Sequence, residues 1–240
     1  MPPPLTGRAM PTVLIPGLLA TADLYGPQLS ALWSFGAVQI ADTRRAETIE
    51  EMAAQALAAA PSHFALVGLS MGGYVAMEMI RQAPDRIGRV ALLDTSARAD
   101  TPEQTERRLA LVEETESGGF GAVVENIFAH AVHPDRRGDE ALRGLFHAMA
   151  FTVGPEAFVR QQGAIMARRE ALSVLPSCTG PALVAVGEED LVTPPARARE
   201  IADGLSGSRL LIVPGCGHVS TLERPDRITA ALIQWLRVPA

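Results

Sequence analysis

Largely apolar runs recur along the chain at Thr12–Ile15, Ala37–Ala41, Phe64–Gly68, Val90–Leu93, Ala182–Val186 and Leu210–Val213. They are short and mostly continuous rather than alternating, the pattern of parallel strands covered on both faces. The intervals between them carry helical signals. Glu47–Ala60 is alanine-rich and halts at Pro61, Tyr74–Ile80 is apolar without a breaker, and Pro194–Leu205 and Pro225–Leu236 open with the proline favoured at a helix start. Strand–helix–strand connections are right-handed, so the expected architecture is α/β: a mostly parallel sheet of about six strands with helices on both faces. Ligands of such sheets bind at the carboxyl ends of the strands.

One interval departs from this rhythm, because the stretch from Arg98 to Leu175 is far too long for a single crossover helix. Within it Thr101–Glu116, Gly121–Ala131, Asp139–Phe151 and Pro155–Ala171 repeat apolar residues at helical spacing, which predicts an inserted helical cap over the carboxyl edge. The expected organisation is a core of residues 1–97 and 176–240 carrying a cap of residues 98–175. Phe128, Phe146, Met149 and Phe151 of the cap, with Leu19, Val192 and Val219 of the core loops, are candidates to line a substrate pocket, although such residues also serve simply to pack helices together. An apolar cap suits an ester or thioester with a hydrocarbon portion better than a polar sugar.

The run Phe64-Ala65-Leu66-Val67 leads directly into Gly68-Leu69-Ser70-Met71-Gly72-Gly73. A serine on a sharp strand-to-helix turn is held in a strained conformation and needs small neighbours two positions away, which Gly68 and Gly72 provide. By itself the pentapeptide is a weak signal, since an ordinary Gly/Ser turn reads the same way. A serine hydroxyl also needs a base to take its proton and a third group to orient that base. Asp190 follows the strand Ala182–Val186, and His218 follows the next strand in Pro214-Gly215-Cys216-Gly217-His218. Asp94, just after Val90–Leu93, borders the same edge and competes with Asp190 as the acid. Among the other histidines, His63 precedes its strand, at the wrong end of the sheet, and His130 and His133 have no acidic cluster beside them to complete a metal site. Glu223 reads as an anchor for the last helix.

The order Ser70, Asp190, His218 along the chain, with Gly187-x-x-Asp190-x-x-x-Pro194, Gly217-His218 followed by Leu222-Glu223-Arg224-Pro225, and the early loop Ile15-Pro16-Gly17-Leu18, resembles the α/β-hydrolase fold superfamily, specifically its small, capped, esterase-like branch. The resemblance covers nearly the whole chain. It implies an α/β-hydrolase fold, a catalytic set of Ser70, Asp190 and His218, and an oxyanion hole formed by the backbone N–H groups of Leu18 and Met71. Two departures stand out. Pro16-Gly17 replaces the His-Gly of many relatives, and the loop after Ala37–Ala41 is cut to Asp42-Thr43-Arg44-Arg45-Ala46, which should open or reshape one wall of the site. The implied chemistry is cleavage of a carboxylic ester of a small, largely apolar substrate. Lactone opening, acyl-carrier methyl ester cleavage and C–C bond hydrolysis use the same residues, and a ligand receptor that retains them is the alternative of another class.

Composition narrows these readings. A chain of 240 residues is commonly one α/β domain, and a net charge of −6 lacks the basic stripe of a nucleic-acid footprint. Every basic side chain except histidine is arginine, and the paired arginines are interspersed with acids, as on solvated faces. The apolar stretch Met10–Leu19 before Ala20-Thr21-Ala22 has the outline of a signal peptide, but Pro11, Pro16 and Gly17 interrupt it and cleavage would remove a strand of the sheet. No run reaches transmembrane length. Cys178 and Cys216 should lie at opposite edges of the sheet, beyond disulfide reach, which points to the cytoplasm. Neither a cofactor nor a metal is expected, and oligomeric state is left open.

Overall fold

A computed structural model of the chain describes residues 10–239. Six parallel strands, β1 (Thr12–Ile15), β2 (Val38–Ile40), β3 (Phe64–Leu69), β4 (Ile87–Leu93), β5 (Ala182–Gly187) and β6 (Arg209–Val213), form one sheet in the order β2-β1-β3-β4-β5-β6. The order in which successive strands join the sheet reverses between β1 and β3, whose parallel register runs Thr12 opposite Ala65 to Ile15 opposite Gly68. A crevice opens at such a switch point, outside the carboxyl ends of the strands.

Successive side chains on a strand point to opposite faces, and this alternation divides the core in two. Val13, Ile15, Phe64, Leu66, Val90, Leu92, Val184 and Val186 pack beneath one set of helices. These are α2 (Ile49–Ala59), α3 (Met71–Gln82) and α8 (Pro195–Gly204). Leu14, Ala65, Val67, Ala91, Leu93, Leu183 and Ala185 face the other side, where α1 (Gly26–Trp33) and α10 (Pro225–Arg237) pack together. Strand β4 starts three residues before the expected Val90, and so takes in Arg89, which is buried. Its Nη1 donates to the carbonyls of Trp235, Leu236 and Val238 at the end of α10, where the helix leaves its last carbonyls short of intrahelical donors.

Between β4 and β5 lie α4 (Pro102–Glu114), α5 (Phe120–Ala131), α6 (Glu140–Val153) and α7 (Pro155–Ala167), followed by a 3-10 turn at Leu172–Ser177. Thr101 and Gln104 form a reciprocal cap at the start of α4, and Asp139 caps α6. The helix expected to run to Ala171 stops at Ala167, because Arg168 turns extended and its guanidinium is drawn to Ile165 O, Arg98 O and Asp100. Phe120, Val123, Val124, Phe146, Met149 and Phe158 of these helices join the core on the α1 and α10 side of the sheet. A short α9 (Ser220–Glu223) precedes α10. Among the described residues no helix is long and apolar enough to cross a membrane.

Candidate active site

Ser70 sits between β3 and α3 with φ 55° and ψ −118°, a region that non-glycine residues rarely enter. The turn is tight because the two backbones touch. A Cβ on Gly68 would come within 2.3 Å of Gly72 O, and one on Gly72 within 2.0 Å of Ile15 O. The strain is held by hydrogen bonds on both sides: Ser70 N donates to Leu93 O, and Ser70 O accepts from Gly73 N and from Thr95 Oγ1. Among the described residues the only other non-glycine residues with positive φ are Leu19 and Asp94, which also lie at the carboxyl edge, after β1 and β4. Backbone strain concentrated in this way is characteristic of functional sites.

His218 Nε2 lies 2.8 Å from Ser70 Oγ, and its Nδ1 lies 2.8 Å from Asp190 Oδ2. A carboxylate can only accept from the imidazole, so Nδ1 carries the proton and Nε2 accepts from the serine hydroxyl. Asp190 is oriented by further donors: Val192 N and Thr193 N on Oδ1, and Thr193 Oγ1 on Oδ2. Burial alone would lower the His218 pKa, but Asp190, and after it Asp94 and Glu223, carry it above the ordinary 6.5.

Asp94, the competing acid, faces elsewhere. Its Oδ1 accepts from Gly187 N and its Oδ2 from Ser220 N and Ser220 Oγ, so it ties together the two loops that present Asp190 and His218. Its carboxyl is pushed up to about 8, by burial first and the neighbouring Asp190 next. Glu223, expected to anchor the last helix, makes its side-chain hydrogen bonds elsewhere. Its carboxylate accepts from Val219 N and from His133 N, just beyond α5, while His218 N donates to Ala131 O at 2.6 Å. Cys216 is buried, and burial raises its thiol pKa far from the thiolate range needed of a nucleophile. His130 bonds only its own helix through Asn126 O, and no cluster among the described residues is arranged to hold a metal.

The loop after β1 runs beside the serine, with Gly17 packed against Leu69 O and Ser70 Cβ. Among the described residues neither Leu18 N nor Met71 N donates to a protein acceptor. The adjacent Leu19 N donates to Oε1 of Gln161, a fully buried residue of α7 whose Nε2 reaches Thr43 Oγ1. The short loop after β2 is therefore closed over by α7 rather than opened. Gln161 was not among the sequence candidates, since an amide within a helix gives no local sign of bridging two distant loops.

Ser70 and His218 open into a mainly apolar cavity of about 80 Å³. Of the pocket candidates, Leu19, Phe146, Met149, Val192 and Val219 border it, together with Tyr74, Ile127 and Ile165, which sequence reasoning did not single out, and Arg108, one of the paired arginines expected on solvated faces. Phe151 does not reach it: this residue is 57% exposed, on the outer side of α6, with its ring edge-on to Phe120. The inward face of α6 is set by Leu142, Phe146, Met149 and Val153, and position 151 falls out of that phase. Phe128 is likewise displaced from the cavity, packing behind it on Phe146 at 5.6 Å between ring centres.

A family model described as the alpha/beta hydrolase family matches residues 13–231. The fold is similar to a thermophilic esterase from Thermogutta terrifontis, solved with malate bound, at a TM-score of 0.85 and 28% identity over 97% of this chain and 91% of that one. It is equally similar to an enol-lactonase from Burkholderia xenovorans LB400, with a TM-score of 0.85 and 26% identity over 97% and 93% of the two chains. BpoC of Mycobacterium tuberculosis, named as a non-heme bromoperoxidase, is 28% identical over 181 residues that span 71% of this chain but only 66% of that protein.

Proposed function

The chain belongs to the alpha/beta hydrolase family, and from that premise we propose that it is a serine carboxylesterase acting on esters of small, largely apolar substrates. The observation that carries the reading is the hydrogen-bonded line from Ser70 Oγ through His218 to Asp190 at the mouth of an apolar cavity. In this mechanism Ser70 Oγ attacks the ester carbonyl while His218 Nε2 takes its proton, and Asp190 holds the imidazole in the required tautomer and stabilises the imidazolium. The oxyanion receives hydrogen bonds from Leu18 N and Met71 N, two donors without protein acceptors among the described residues. His218 then protonates the departing alkoxide to give the alcohol and an acyl-Ser70. Water, deprotonated by the same imidazole, releases the acid and restores the serine.

Residues 98–175 serve as the cap that closes the cavity, with Phe146 and Met149 on its walls. The two free, buried thiols suit a cytoplasmic setting. Lactones form the second substrate class, favoured by the likeness to an enol-lactonase over 97% of the chain; ring opening uses the same steps with the leaving alcohol still tethered to the acyl group. A fluorophosphonate probe tests the reading without requiring the natural substrate. One adduct is expected, mapped to Ser70 and absent from Ser70→Ala. Folded wild-type protein that takes no label overturns the assignment.

A further inference from the structure

Of the residues that line the cavity, Arg108 alone carries a permanent charge; the remainder, apart from Ser70, Tyr74 and His218, are apolar side chains and glycine. A guanidinium does not lose its proton in a protein, and placing one against an apolar cavity is unfavourable unless something there compensates it. Its protein partners do so incompletely. Nε donates to Asp100 Oδ2 at 2.7 Å and Nη1 to Gln162 Oε1 at 2.8 Å, which fixes the plane of the group, while Nη2 has no partner among the described residues. Asp100, only 1% exposed, is shared, because its other oxygen lies 2.8 Å from Arg168 Nη1. Among the described residues it is the one carboxylate within ion-pair distance of either arginine. Two guanidinium groups therefore balance one carboxylate, leaving a positive charge unmatched beside the site. Arg168 stacks on the Tyr74 ring, 4.1 Å from its centre, and does not line the cavity. Arg108 does.

We propose that Arg108 is a specificity-determining residue and that the preferred substrates are short esters or lactones carrying a second, free carboxylate. This assignment rests on the serine-hydrolase reading and narrows its substrate class. The carboxylate receives charge-assisted hydrogen bonds from the uncommitted Nη2 edge, while the ester carbonyl lies at Ser70. The small volume of the cavity limits the chain that joins the two groups to a few carbons.

The test compares kcat/KM for monomethyl succinate and monomethyl glutarate with that for their neutral carboxamide isosteres. Wild type is expected to prefer at least one of the anions by ~10-fold or more, in line with a charge-assisted hydrogen bond. In Arg108→Gln that ratio should fall by ~10-fold or more, and Arg108→Lys should restore part of it. Gln is chosen because Asp100 keeps its pairing with Arg168. A purely structural role for Arg108 would lower turnover of both esters and leave the ratio unchanged, and that result overturns the proposal, as does a wild type that prefers the neutral ester. Should the variants fail to fold, wild type alone decides: glutarate must slow fluorophosphonate labelling of Ser70 and glutaramide must not, and equal effects of the two overturn it. Labelling in the absence of either ligand reports on the serine-hydrolase reading, so its failure is distinguishable from a failure of the Arg108 assignment.

Discussion

His218 shows how a single residue's surroundings set its behaviour. Its raised pKa has two consequences of opposite direction. In the proposed mechanism the imidazole must be neutral to accept the serine proton, so kcat/KM for a neutral ester should fall as pH drops through a midpoint above 6.5. A pH–rate profile with its acidic limb at or below 6.5 would contradict this. For stability the sign reverses. A histidine whose folded pKa is raised binds its proton more tightly in the folded state, so its stabilising contribution is complete below the unfolded value and disappears as pH rises through the folded one. Arg108 and Gln161 illustrate the same dependence on surroundings: nothing in their sequence neighbourhoods distinguishes them from other polar positions on amphipathic helices, and they acquire their places only because α4 and α7 turn those faces toward the site.

At the scale of elements, the strand-to-helix turn at Ser70 depends on how closely β1, β3 and α3 approach. Gly72 is where that approach is tightest, since an added Cβ would lie 2.0 Å from Ile15 O and 2.8 Å from Pro16 O, both backbone atoms. Gly72→Ala should therefore destabilise the fold by about 3 kcal/mol or more, at the upper end for overpacking, as measured by urea unfolding. Gly163 in α7 is the control. Its Cβ would meet nothing within 4 Å, so Gly163→Ala should be neutral or stabilise by up to ~1 kcal/mol through helix propensity. Equal losses in the two variants would mean that the close approach at Gly72 is not what limits substitution there.

At the scale of the whole molecule, the helices between β4 and β5 share a core with the sheet. Phe120, Phe146 and Phe158 belong to the same apolar cluster as Leu14, Val67 and Leu93, His218 N is bonded to Ala131 O, and the Glu223 carboxylate of α9 accepts from His133 N. Thermal unfolding should consequently show one cooperative transition, with calorimetric and van't Hoff enthalpies in agreement. A separate early transition assigned to residues 98–175 would show instead that these helices are held independently. The same sharing explains why the Glu223 contacts matter: they join the last loop of the sheet to the segment beyond α5, so His218 and the helices between β4 and β5 cannot move apart without breaking these hydrogen bonds.

The sequence by itself determined the strands, the turn at Ser70 and the order in which Ser70, Asp190 and His218 follow one another. Each is a local matter, governed by side-chain periodicity, the steric demands of a tight turn, or position just past a strand. Tertiary structure alone decided that Asp190 rather than Asp94 faces His218, that Phe151 points to solvent while Arg108 lines the cavity, and that Gln161 links the loops after β1 and β2. Those outcomes depend on the rotational phase of helices and on contacts between residues far apart in the chain, such as Leu19 with Gln161 and Ser70 with His218, and local hydrophobic pattern carries no information about either.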